Sequence, residues 1–121
     1  MEVILDTNIL IEILKNNTKT IKKVEEYSIH HISIISTMEL FYGALNKNEL
    51  QKLKKFVELF NIISIDEQIS NYTKDLIIKY AKSHSLDIPD SFIASTAIKN
   101  NLPLLTYNKK DFKYIDGLIL V

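Results

Sequence analysis

Four acidic side chains stand where carboxylates could do chemistry together. They are Asp6 in Val3-Ile4-Leu5-Asp6-Thr7-Asn8, Glu39 in Ser36-Thr37-Met38-Glu39-Leu40, Asp90 in Ile88-Pro89-Asp90-Ser91-Phe92, and Asp111 in Thr106-Tyr107-Asn108-Lys109-Lys110-Asp111-Phe112. The first three sit where a short apolar run turns into a helical pattern, and the fourth lies just past another apolar run. If the runs are strands of one parallel sheet, their carboxyl ends share the edge at which open α/β sheets place ligands. Carboxylates crowded at one edge repel one another unless a hard divalent cation neutralises them, and oxygen donors are what Mg²⁺ and Mn²⁺ prefer. The chemistry implied is metal-assisted.

Each acid also has an ordinary explanation. Asp6, between strand and helix, reads as an N-cap. Ser36 and Glu39 match a capping box, in which the Glu reaches back to the cap amide. Asp90 follows Pro89 in a first helical turn, where negative charge suits the helix dipole. Asp111, flanked by Lys, reads as a solvated loop charge. Helix starts after parallel strands gather at one edge, so caps would cluster there too. Neutralisation separates the readings: every basic residue is Lys, no Arg is present, and a metal could pair all the acids where Lys109 and Lys110 could pair only some. Asn8 lies two residues past Asp6, Thr37 two before Glu39 and Asn108 two past Thr106, as groups that orient carboxylates or hold metal-bound water from a second layer, although turn and cap chemistry also uses such residues.

The elements that must position these acids follow from periodicity. Residues 2–5 read as a first strand, apolar from Val3 to Leu5 as in a strand buried on both faces. Ile9, Leu10, Ile13 and Leu14 mark a helix ending at Asn16-Asn17, and 19–26 a short Lys/Glu-rich helix. Strands are expected at 32–35, 62–65, 104–106 and 118–121, the last after an Asp116-Gly117 turn. Met38, Phe41 and Leu45 mark one intervening helix, and Leu50, Leu53, Val57 and Phe60 another. Asp66 caps a long helix through Ile69, Tyr72, Leu76, Ile77, Tyr80 and His84, and Pro89 opens a last one. Alternating strands and helices give a three-layer α/β/α sandwich around a mostly parallel sheet of about five strands.

Composition bounds the rest. A chain of 121 residues, 46% hydrophobic and 25% charged, makes one domain over residues 1–121 with a real core. A formal net charge of zero, from 15 basic and 15 acidic side chains, excludes a nucleic-acid binder held by bulk charge but not a local basic rim. The absence of Cys excludes disulfides and thiolate metal sites. No signal-peptide pattern or membrane-length apolar stretch is evident, so the expected compartment is the cytoplasm.

Leu5-Asp6-Thr7-Asn8, Ser36 to Leu40 with Gly43, Asp90 to Ala94, and Leu105 to Phe112, in this order and spacing, resemble a PIN domain. The compact length is most similar to the toxin subunit of VapBC-type toxin–antitoxin pairs. The resemblance covers essentially the whole chain, including Ile115-Asp116-Gly117-Leu118. It implies an endoribonuclease dependent on Mg²⁺ or Mn²⁺, with Asp6, Glu39 and Asp90 as metal-binding and catalytic acids. Many members carry Asp where this chain has Asn108, so the resemblance leaves the fourth place to Asn108 or Asp111, and Thr106 resembles the family's hydroxyl near the site. The resemblance further implies a small antitoxin lying over the site, and a homodimer. The first helix, apolar nearly all round, is a candidate interface.

Such a site suits phosphodiester hydrolysis, with Lys109, Lys110 and Lys113 as candidate contacts to an RNA backbone. Two other readings stay open. An aspartate-dependent phosphatase would use Asp6 as nucleophile, but its general acid would fall on Asn8. A PIN-like binding module without chemistry would account for Asn108.

Overall fold

The computed structural model describes residues 1–121. Its elements run β1 (Glu2–Leu5), α1 (Thr7–Leu14), α2 (Thr18–Glu25), β2 (Ile29–Ser33), α3 (Ile34–Tyr42), α4 (Lys47–Val57), β3 (Asn61–Ile63), α5 (Glu67–His84), α6 (Ile88–Lys99) and β4 (Leu104–Leu105). The strands form one sheet in the order β3-β2-β1-β4, and every pairing is parallel.

The pleat of β1 explains the layers. Successive side chains of a strand point to opposite faces, and Val3, Ile4 and Leu5 are all fully buried. Val3 and Leu5 join a cluster with Ile9, Leu10, Val24, Leu40, Leu53 and Val57, which belong to α1 through α4. Ile4 joins the opposite cluster with Leu76, Tyr80, Ile93, Ala94 and Ala97 of α5 and α6, closed by Phe112 and Ile115. The three-layer sandwich is thus built on a strand whose last three residues have no solvent face.

Besides β3, which starts at Asn61 and stops at Ile63, and β4, which stops at Leu105, the sheet differs from expectation at two further places. Ile34 and Ile35 begin α3 rather than continue a strand, and β2 instead takes in His30 and His31. Ser33 is the reason: its hydroxyl accepts from the Ile35 N–H at 3.1 Å and turns the chain into a helix, so a cap overrides a β-branched run. The expected fifth strand at 118–121 shrinks to a single bridge, Leu104 to Leu120. The sheet proper therefore has four strands. The Asp116-Gly117 turn is present, with Gly117 at φ 85°, a backbone conformation that favours Gly.

Candidate active site

The chain runs from β1 outward through β2 to β3, then crosses to the other side of β1 to form β4. Where strand order reverses in this way, the carboxyl ends of the two strands flank a crevice. Asp6 directly follows β1 and Thr106 directly follows β4, so both stand at that crevice.

Asp6 is indeed an N-cap, and more than that. Its Oδ1 accepts from the Thr7 N–H at 2.8 Å, while Oδ2 accepts from the Thr106 hydroxyl at 2.7 Å. The residue is only 5% exposed, and burial pushes its carboxyl above the usual range. The Thr106 and Thr7 bonds oppose that push; the negative charges of Glu39 and Asp111 add to it. Asn8 and Asn108 complete the corner. The Asn8 amide donates to Thr106 Oγ1 at 3.4 Å and its carbonyl accepts from the Tyr107 N–H at 3.4 Å. The Asn108 backbone N–H donates to Thr106 Oγ1 at 3.0 Å.

Glu39 does not cap its helix. Ser33 holds the cap position of α3, which leaves Ser36 within the helix and Glu39 beyond its first turn. The Glu39 carboxylate instead accepts from the Thr7 hydroxyl at 2.7 Å, and that hydroxyl also lies 2.8 Å from Ser36 Oγ. The structure thus ties Glu39 to the residue following Asp6. The capping box suggested by the spacing is absent.

Asp90 lies in the first turn of α6, whose N-cap is Asp87; the Asp90 N–H donates to Asp87 Oδ1 at 2.8 Å. No hydrogen bond or ion pair reaches the half-buried Asp90 carboxylate. Burial first, and then the charges of Asp87, Asp6, Glu39 and Asp111, push its pKa from 3.8 to about 7. Asp111 closes a 3-10 turn at Lys109–Asp111, exposed, and shares a small cavity with Asp90.

The four acids therefore face one region and sense one another's charge. Nothing cationic answers them. The molecule's ion pairs join Lys15 to Glu12, His31 to Glu2 and Lys79 to Asp116. Lys109, Lys110 and Lys113 are exposed and pair with none of the acids. The donors form an all-oxygen, anionic, partly desolvated set, which suits a hard divalent cation. As placed, no three acidic or imidazole side chains converge on one ion-sized point, so the fit is one of donor chemistry rather than of a closed coordination shell. Of the two candidates for the fourth place, Asp111 contributes charge toward both Asp6 and Asp90, whereas Asn108 meets the site through its backbone, its N–H donating to Thr106 Oγ1 and its carbonyl accepting from the Asp111 N–H. Thr37 stands apart, its hydroxyl donating to the Ile34 carbonyl at 2.6 Å.

Sequence reasoning passed over Asp87 and Tyr114 and read His84 only as the end of the long helix, yet all three wall the same cavity as Asp90. Asp87 was findable: an Asp two residues before a Pro in a first helical turn is a cap signal. The convergence of His84 and Tyr114 on that wall has no local signature.

The PIN domain family model matches residues 3–118. Ribonuclease VapC1 of Methanocaldococcus jannaschii is 35% identical over an alignment covering 93% of this chain and 79% of that protein. Ribonuclease VapC1 of Rickettsia felis is 34% identical, with 98% and 93% covered. Among solved structures, a chain in the crystal structure of Rickettsia felis VapBC2 bound to a DNA fragment from its promoter superposes with a TM-score of 0.84 at 30% identity, covering 100% of this chain and 98% of that one. A chain of VapBC-1 from nontypeable Haemophilus influenzae gives 0.83 at 27%, with 100% and 97% covered. With its sheet order, its acidic crevice and a match along nearly its whole length, the chain belongs to the PIN domain family.

Proposed function

We propose that the protein is an endoribonuclease that depends on Mg²⁺ or Mn²⁺ and acts as the toxin of a toxin–antitoxin pair. The observation that carries this reading is the set of uncompensated carboxylates at the switch between β1 and β4, with Asp6 buried and Asp90 pushed up to about 7. Relatives named as ribonucleases and neighbours solved as toxin–antitoxin complexes support the substrate class and the partner.

Asp6, Glu39 and Asp90 would hold the ion, with Asp111 supplying further negative charge. A divalent cation there would supply an activated water and offset charge building on the phosphate oxygens. Thr106 fixes the Asp6 carboxylate from one side, and Thr7 links the Asp6 and Glu39 arms from the other. Asp90 must shed its proton before it can serve as a ligand, so its raised pKa couples cation binding to pH. Lys109, Lys110 and Lys113, exposed and unpaired, remain free for the RNA backbone.

Cleavage of single-stranded and stem-loop RNAs with Mg²⁺ or Mn²⁺ tests the reading. Asp6→Asn and Asp90→Asn are each expected to lower the rate at least a hundredfold while the protein stays folded. Full activity in EDTA, or an Asp90→Asn protein as active as wild type, would sink it. A binding module without chemistry would bind Mn²⁺ no better than its Asp6→Ala variant. The phosphatase alternative gains nothing, because Asn8 is spent on Thr106 and the Tyr107 backbone and no second acid stands in its place.

The partner surface we infer is an apolar groove of about 490 Å³ between α3 and α4, walled by Ile34, Phe41, Leu50, Val57 and Ile62. On α3 and the loop after it, Met38, Tyr42 and Leu45 have 54%, 95% and 85% of their surface exposed. The first helix leaves Ile11 and Leu14 partly exposed as well. Two apolar surfaces of this kind leave room for both an antitoxin and a second copy.

A further inference from the structure

Beside the acids lies a cavity of about 130 Å³ walled by His84, Asp87, Asp90, Asp111 and Tyr114. Its aromatic wall is assembled in advance. The His84 imidazole stacks on the Tyr114 ring with centroids 4.1 Å apart and planes 12° from parallel. Tyr80 braces both rings edge-on, 5.6 Å from His84 and 5.1 Å from Tyr114. Tyr80 is itself buried, and its hydroxyl accepts from the Asp116 N–H at 3.2 Å. Ser83 Oγ, 2.7 Å from His84 Nδ1, fixes the rotation of the imidazole. Core packing accounts for Tyr80 and for one side of Tyr114. It does not account for an exposed imidazole held parallel to that tyrosine.

The surrounding charge says what can lie there. Asp87, Asp90 and Asp111 repel a phosphate from this side of the crevice, but their oxygens accept hydrogen bonds from the amino and ring N–H groups of a neutral base. The volume equals the share of about four waters in the liquid, which suits one flat ring and not a base pair. Single-stranded nucleic acid is held by stacking of splayed bases on aromatic side chains.

Resting on the ribonuclease reading, we propose that the outer face of the His84 imidazole, backed by the Tyr114 ring, is a stacking platform for one unpaired nucleobase adjoining the phosphate at the acidic crevice. The platform makes the enzyme select single-stranded RNA on this side of the cut. His84 contributes binding, and the acids contribute chemistry.

Two measurements separate the platform from the ribonuclease reading. In the Asp6→Asn protein, the His84 and Tyr114 ring protons are followed by NMR during titration with a single-stranded dinucleotide and, separately, with an abasic ribose phosphate. An upfield shift of the His84 ring protons with the dinucleotide alone supports the platform; no shift of His84, or an equal shift with the abasic compound, overturns it. On an RNA that the wild type cleaves, His84→Ala should raise KM at least fivefold with kcat within about twofold, and His84→Phe should restore KM. An unchanged KM in His84→Ala overturns the proposal while leaving the ribonuclease reading intact. If the wild type cleaves no RNA, the ribonuclease reading falls, and the titration alone decides the platform.

Discussion

The Asp90 carboxyl titrates at about 7, against 3.8 in a solvated chain, because burial and four neighbouring acids all disfavour its charge. The unfolded chain loses this proton near pH 4 and the folded protein near 7, so in between the folded state binds more protons and stability falls as pH rises. Asp6 is shifted in the same direction. The metal-free protein should therefore be less stable at pH 8 than at pH 5.5, by on the order of 1–2 kcal/mol once solvent screening of a half-buried group is allowed for, and should melt at a lower temperature. Asp90→Asn should flatten that profile, and Mn²⁺ should restore the wild type at pH 8; scanning calorimetry at both pH values checks all three. A second expectation concerns Thr106, whose hydroxyl supplies a hydrogen bond to the buried side of Asp6. Thr106→Val should weaken Mn²⁺ binding about 10- to 100-fold and Thr106→Ser should keep it, as titration calorimetry would show. Equal affinities in the three proteins would mean that Asp6 needs no such support.

The start of α3 shows how an element decides what its residues mean. Ser33 and Ser36 both precede an apolar helical stretch, and Ser36 with Glu39 has the better capping-box spacing. Ser33 wins because β2 ends there, paired through Ile63 of β3, which fixes where the backbone must leave the sheet. A cap chosen by sheet pairing cannot be read from local spacing. Ser33→Ala should cost about 1 kcal/mol of stability in urea unfolding. Glu39→Ala should change stability by less than about 0.5 kcal/mol, since Ala suits a helix interior, yet it should lower Mn²⁺ affinity. A large stability loss in Glu39→Ala would restore the capping role. The alternation in β1 and the period of α5 were legible because each depends on its own stretch of chain: three buried residues in a row for one, Ile69 to Tyr80 for the other. Asp6, Glu39 and Asp90 were legible as acids at helix starts. Thr7 as the link between two of them was not, because that link is made across α1 and α3.

In the molecule as a whole, six helices leave a four-stranded parallel sheet with apolar surface to spare at α3 and α4. None of these helices is long and apolar enough to cross a membrane. On the proposed reading, Tyr42→Lys should leave the melting temperature nearly unchanged and weaken cognate antitoxin at least tenfold in a pull-down or calorimetric titration. Unchanged affinity would move the partner to another face, with α1 next to be tested. The strand order carries a further consequence. Asp6 and Thr106 hydrogen-bond across 100 residues of chain, so the first acid of the site is synthesised long before the group that holds it. At ~5–20 residues per second of translation, the crevice stays open for roughly 5–20 s after Asp6 is made. A nascent chain lacking β4 has β1 as an unpaired edge and Asp6 without its anchor. The site can therefore close only after Thr106 has been made.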